Sequence, residues 1–304
     1  MNGCYFKSHD GKEIFLYTWD KVNNPIGVIQ IFHGMAEHSA RYDDFAKYLN
    51  TKGYIVYADD HRGHGKTART VDALGYLGKN GFDNIVKDEY FITKEIKSKY
   101  PSLPIFIFAH SFGSFIGQEY INRYSHQING AIICGSAKQS GLDFRAGLAI
   151  TNLIKLFGDE SKQNIFLESI IFGSYNKKIK NNNSKFAWLS HDKTQVQKYE
   201  NDPYCGTVFT PNFYRNMFIG FKGLYKKEKQ NNINKTLPIF IISGKMDPVG
   251  KYGKTVEKLF NYYKNLNLTD VSIKLYPNKR HELLNEVNNL EIYNDIFNWI
   301  NSKG

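Results

Sequence analysis

The sequence predicts an α/β architecture: a mostly parallel sheet covered on both faces by helices. Two observations lead there. Short apolar runs alternate with segments whose apolar residues fall at helical spacing. One serine, Ser111, stands in a tight small-residue turn between such a run and such a segment.

The elements follow in order. Tyr5 to His9, the turn dipeptide Asp10-Gly11, and Ile14 to Trp19 read as a hairpin. The run Gly27–His33 suits a buried strand. Residues 41–52 carry Tyr42, Phe45, Tyr48 and Leu49 at helical spacing, and Gly53 is a stop signal before a strand at Tyr54–Ala58. Residues 84–99 read as a helix whose exit is bounded by Pro101 and Pro104. A strand at Ile105–Ala109, a helix at 112–124 and a strand at Gly130–Gly135 come next. After a long interruption the alternation resumes: strand Leu237–Ser243, helix 251–264, strand Val271–Tyr276, helix 289–301. Residues 137–211 break the rhythm with short apolar pieces, such as Leu148 to Phe157 and Phe166 to Phe172, and a polar Asn/Lys stretch at 176–185. They read as a cap inserted into a core made of 1–136 and 212–304.

Composition excludes several classes. With 41% hydrophobic and 15% aromatic residues in 304, the chain can bury a sizeable core, which disfavours disorder. No apolar run approaches the ~18 residues that span a bilayer. The N-terminal segment lacks a basic-then-apolar signal pattern, so the cytoplasm is the default compartment. Cys4, Cys134 and Cys205 are odd in number and unpatterned in spacing, which supports neither a disulfide framework nor a zinc site and reads as free buried thiols. The net charge of +11 comes mostly from scattered Lys, with no Arg-rich stripe, so no nucleic-acid partner is expected. A weak attraction to an anionic membrane surface stays open.

The chemistry concentrates at Ala109-His110-Ser111-Phe112-Gly113. Its strand–turn–helix context is that of a nucleophile elbow, where residues two before and two after the serine must be small. Ala109 carries one methyl group more than the usual glycine. A serine nucleophile needs a base and an orienting acid. Asp247 and His281 follow it at the ends of two successive strands, in the order such an architecture requires. Asp247 would fix the imidazole tautomer and His281 would shuttle the proton. Asp270 and Glu282 are read as outside this set. Backbone N–H groups of Phe112 and of Met35, in the loop after the third strand, are the expected oxyanion donors. The glycines of Asp59-Asp60-His61-Arg62-Gly63-His64-Gly65 match no phosphate loop, and the segment reads as a structural turn buttressed by Arg62. His33, His38, His61 and His64 fit no metal motif, so no metal is expected.

These residues carry a resemblance. His33 to Tyr42, Asp60 to Gly65, Trp188 to Asp192, Tyr199 and Asn201 to Gly206 resemble segments of the monoacylglycerol lipase and lysophospholipase group of α/β-hydrolases, the serine-aminopeptidase-like branch. The resemblance runs essentially end to end and departs at Ala109 and Met35. It implies an α/β-hydrolase fold with an eight-stranded sheet and helical cap, no cofactor, and cleavage of lipid-like carboxylic esters through an acyl-serine. It also implies Ser111 as nucleophile, Asp247 as acid, His281 as base, and Met35 and Phe112 as oxyanion donors. The alternatives are a peptidase, amidase or thioesterase on the same three residues, and a non-catalytic ligand receptor. An exopeptidase would need a carboxylate for the substrate amine, for which Glu160, Glu168, Asp192 and Asp202 are available. The sequence leaves acyl length, headgroup and oligomeric state open.

Overall fold

The computed structural model describes residues 1–139, 148–152, 154, 158–179 and 183–304. Eight strands form one sheet: β1 (Asn2–Lys7), β2 (Glu13–Trp19), β3 (Gly27–Phe32), β4 (Tyr54–Asp60), β5 (Ile105–His110), β6 (Gly130–Cys134), β7 (Ile239–Gly244) and β8 (Val271–Tyr276). Their spatial order is β1-β2-β4-β3-β5-β6-β7-β8. The first two strands are antiparallel to their neighbours and the rest run parallel. β3, β5, β6 and β7 are buried along their whole length, as strands covered on both faces must be.

Helices α1 (Asp43–Thr51) and α9 (Leu290–Asn301) cover one face through Phe45, Leu49, Ile292 and Ile296. Helices α2 (Gly81–Lys99), α3 (Phe112–Tyr124) and α8 (Lys254–Asn265) cover the other through Ile85, Ile92, Ile116, Val256 and Leu259. Buried Gln30 interrupts apolar β3, but it donates to the Glu89 carbonyl and carboxylate and accepts from Thr93. Between β6 and β7 lie α4 (Ile165–Phe172), α5 (Lys193–Asn201), α6 (Pro211–Gly223) and the short α7 (Lys227–Gln230). The expected apolar piece 148–157 and the polar stretch 176–185 fall partly outside the described residues. Among the described residues, no helix is long and apolar enough to cross a membrane.

The structure departs from the sequence expectation in four places. β1 begins and ends earlier, because 8–12 form the hairpin loop: Ser8 N–H donates to the Lys12 carbonyl and Gly11 takes φ +81°. α2 starts at Gly81, whose N–H is held by the Asn216 side chain. α6 was not anticipated. Its Thr210 side chain accepts from the Phe213 N–H and Pro211 opens its first turn, a pairing the sequence displays. Cys4 is exposed on edge strand β1, not buried, whereas Cys134 and Cys205 are buried free thiols.

The extra methyl of Ala109 is accommodated from below. Ala109 is fully buried, and a Cβ on Gly117 of α3 would come within 2.8 Å of the Ala109 Cβ. Gly117→Ala should gain about 1 kcal/mol of helix propensity but lose about 1–3 kcal/mol to overpacking. The expected net is destabilisation by about 1 kcal/mol, with Ala109→Gly in the same chain recovering most of it. Urea unfolding midpoints of the two single variants and the double variant check this.

Candidate active site

Ser111 joins β5 to α3 with φ 52° and ψ −119°, a backbone conformation that costs a non-glycine residue about 1–3 kcal/mol. The surroundings impose it. The Ser111 N–H donates to the Cys134 carbonyl at 3.0 Å, and the Ser111 carbonyl accepts from the Ser114 N–H and hydroxyl. Gly113 lies so close to the Phe32 and His33 carbonyl oxygens that no Cβ fits there. The turn therefore lifts the Ser111 hydroxyl above the C-terminal edge of the sheet.

His281 and Asp247 meet it there. The Ser111 hydroxyl lies 2.8 Å from His281 Nε2, and His281 Nδ1 lies 2.9 Å from Asp247 Oδ2. The chemistry of this chain sets the tautomer: Nδ1–H donates to the carboxylate and Nε2 accepts from the hydroxyl. Asp247 is fully buried, and also accepts from the Val249 N–H and the Ser243 hydroxyl. Burial pushes the His281 pKa down, but Asp247, then Glu282 and Glu37, push it up, and the net direction is upward from 6.5.

The loop after β3 is pinned at both ends of Gly34. Glu37 Oε1 accepts from the Gly34 N–H at 2.6 Å. His33 Nδ1 donates to the Gly34 carbonyl at 2.7 Å, and its Nε2 accepts from the His61 N–H at 2.9 Å. Burial, with His61 nearby, keeps His33 neutral, with a pKa well below its ordinary value. A trans peptide points its C=O and N–H in opposite directions, so holding the Gly34 carbonyl sets the direction of the Met35 N–H. Met35 and Phe112 both line the cavity beside Ser111. The sequence places His33 in the loop expected to carry the oxyanion donor and gives it no role of its own; the role it has here depends on His61, 28 residues away.

The other acidic residues are accounted for individually. The Glu282 carboxylate pairs bidentately with Arg41 at 2.7 Å. Asp270 sits at the N-terminal end of β8 and pairs with Lys303. Asp192 caps α5, Asp202 bonds His38, and Glu160 does not line the cavity. Glu168 does line it. Arg62 pairs with Asp88 and Asp10, which buttresses the Asp59–Gly65 turn. Among the described residues, three groups bring ligand atoms within 4.8 Å of one another: His38/Asp202/Cys205, His9/Asp10/Asp88 and Asp59/His61/Glu89. In the second, Arg62 already takes both carboxylates. In the third, fully buried His61 lies 3.2 Å from each carboxylate and is pushed up to about 10, because Asp59 and Glu89 outweigh its burial.

A cavity of about 1090 Å³ opens over Ser111 and His281. Its walls combine core residues with Ile165, Ile170, Phe172 and Trp188, and with Tyr214, Met217, Phe218 and Phe221 of α6. The Trp188 ring lies 4.9 Å from the His281 ring. The Trp188 and Leu189 carbonyls accept from the His281 and Glu282 N–H groups, at 3.4 and 2.8 Å.

The sheet order, the elbow and the three strand-end residues define an α/β-hydrolase. Residues 23–288 match the family described as serine aminopeptidase, S33, and the chain belongs to that family. It is 25% identical to the monoacylglycerol lipase of Mycolicibacterium smegmatis over 298 residues, covering 97% of this chain and 95% of the relative. It is 24% identical to human monoglyceride lipase over 310 residues, covering 96% and 86%. The crystal structure of a thermostable carboxyl esterase from Bacillus coagulans in complex with glycerol superposes with a TM-score of 0.91, at 28% identity, over 99% of this chain and 98% of that one.

The electrostatics of His281 have a sign that can be tested. Its folded pKa is raised, so the imidazolium contributes stability that is fully present below pH 6.5 and is lost as pH rises through the folded value. An NMR titration of the His281 ring, assigned by difference with His281→Gln, is expected to show a midpoint above 6.5. In Asp247→Asn the midpoint should move lower, because the main charge stabilising the imidazolium is gone.

Proposed function

We propose that this chain is a serine hydrolase that cleaves lipid-like carboxylic esters, monoacylglycerols or lysophospholipids, through an acyl-serine intermediate. The observation that carries this reading is the hydrogen-bonded chain Ser111–His281–Asp247 opening into a largely apolar cavity of about 1090 Å³. That size is at the upper end of small-molecule pockets, which run to about 1,000 Å³. It leaves room for a long acyl chain, and each buried methylene contributes about 0.8 kcal/mol. It is a carboxylic ester hydrolase, in keeping with the lipase and esterase relatives.

The mechanism follows from the geometry. The Ser111 hydroxyl oxygen attacks the ester carbonyl carbon while His281 Nε2 takes its proton. Asp247 holds the Nδ1–H tautomer and stabilises the imidazolium as it forms. The Met35 and Phe112 N–H groups receive the developing oxyanion, the second reinforced by the N-terminus of α3. The imidazolium then gives its proton to the departing alcohol oxygen. Water, deprotonated by the same histidine, attacks the acyl-serine carbonyl, and the carboxylic acid leaves as Ser111 regains its proton. No cofactor takes part.

The described part of residues 137–211 acts as the cap over this site. Helix α4 exposes Ile165, on the cavity wall, and the next residue Phe166, 74% and 64% accessible, a surface that suits the approach of a substrate held in a lipid aggregate. A second reading, an exopeptidase or amidase on the same residues, is favoured by one observation: Glu168 places a carboxylate on the cavity wall.

Two measurements decide. Ser111→Ala should keep the fold, lower kcat on esters by several orders of magnitude and abolish labelling by a fluorophosphonate probe. On a matched panel, monoacylglycerols and lysophospholipids should exceed aminoacyl amides in kcat/KM, and long acyl chains should exceed acetyl. A Ser111→Ala variant within about tenfold of wild type, under ~1.4 kcal/mol of barrier, would overturn the assignment.

A further inference from the structure

Next to the site is a buried ionic cluster that the proposed chemistry does not use. Arg41 donates through Nη1 and Nη2 to both oxygens of Glu282 at 2.7 Å, and through Nη1 to Glu37 at 2.5 Å. The three side chains are 11%, 6% and 4% exposed. Taking three charges out of water is costly, and an apolar cluster of similar volume would often be as stable. Stability alone therefore does not account for this cluster, but its connections do. Glu282 directly follows His281 in the chain. Glu37 holds the Gly34 N–H, one peptide before the Met35 N–H, and also accepts from the Tyr42 hydroxyl. The Arg41 guanidinium also lies 4.8 Å from the centre of the Tyr199 ring, whose hydroxyl donates to the Ala36 carbonyl.

We propose that Arg41 is a positioning residue: its fork ties the loop carrying His281, through Glu282, to the loop carrying the Met35 N–H, through Glu37, and so sets the distance between base and oxyanion donor. This rests on the function proposed above and adds a residue to it. A guanidinium serves where an ammonium would not, because only the planar fork can take both oxygens of Glu282 while a shared nitrogen reaches Glu37. The cluster also has an electrostatic consequence. The groups facing His281 are Asp247 and Ser111 by hydrogen bond, the His110 ring at 4.8 Å, the Trp188 ring, and the charges of Glu282 and Glu37, while Arg41 acts on the neighbouring His110. His110 stays neutral, held well below its ordinary value by burial and by His281. Glu282 is buried, but Arg41 outweighs that burial and holds it down at about 2, so it faces His281 as a carboxylate.

Arg41→Gln would strand two buried carboxylates, so the informative variants are Arg41→Lys and Glu282→Gln. Each is confirmed folded by circular dichroism and by fluorophosphonate labelling of Ser111, then measured on a short acyl ester across pH. Arg41→Lys keeps the charge and loses the fork. Its kcat should fall roughly tenfold to a hundredfold, the scale of a misplaced reacting group, with KM little changed and the acidic limb of the pH profile where it is in wild type. Glu282→Gln should show a similar fall in kcat and an acidic limb moved down by about half a pH unit, because a negative charge near the imidazole is gone. The double variant should lose no more than the worse single one, since both break one link. A folded Arg41→Lys with kcat within twofold of wild type, additive losses in the double variant, or an unmoved limb in Glu282→Gln would overturn the proposal. If wild-type Ser111 is not labelled, the proposed function fails instead. If Arg41→Lys does not fold, Glu282→Gln alone decides.

Discussion

Three strand ends at the C-terminal edge of the sheet approach more closely than side chains would permit, and the site exists because glycine stands at each approach. Gly113 lies against the carbonyls that end β3, and Gly244 against the Lys279 and Arg280 carbonyls before His281. A Cβ on Gly135 would come within 3.1 Å of the His281 ring. Remove that closeness and the hydroxyl, imidazole and carboxylate, which lie at 2.8 and 2.9 Å, no longer reach one another. The strained φ of Ser111 belongs to the same constraint: the backbone must reverse within one residue to enter α3 while keeping its N–H on β6.

Much of this was readable because it is local. Apolar runs, helical spacing and strand-end turns are properties of neighbours in sequence, so all eight strands and the positions of Ser111, Asp247 and His281 could be read from the chain. What could not be read depends on partners far apart. Arg41 and Glu282 are separated by 241 positions, and nothing in either neighbourhood announces the pair. His33 owes its function to the His61 N–H. Helix α6 is legible in principle, through Thr210-Pro211, but its segment adjoins the irregular stretch, where no strand–helix alternation sets its phase.

The histidines of the site region divide by environment rather than by motif. His33 and His64 are buried among other rings and stay neutral, the latter pushed down to about 3 by its burial and by His61. His61 faces two carboxylates and holds its proton. Each protonation state serves a different end: a neutral ring can accept from one backbone group while donating to another, whereas a charged one neutralises a buried acidic pair. These three histidines therefore behave as structural hydrogen-bonding groups with distinct protonation states.

The contact between Trp188-Leu189 and His281-Glu282 has one further implication. These are backbone bonds between the segment beside the cavity and the loop carrying the imidazole, so the His281 and Glu282 amides exchange with solvent only when those bonds break. Their hydrogen–deuterium exchange rates accordingly measure how often this contact breaks. A ligand filling the cavity against Trp188 and Leu189 would slow exchange at these two amides, while leaving the Ser111 amide, bonded to the Cys134 carbonyl, at the rate set by opening of the core.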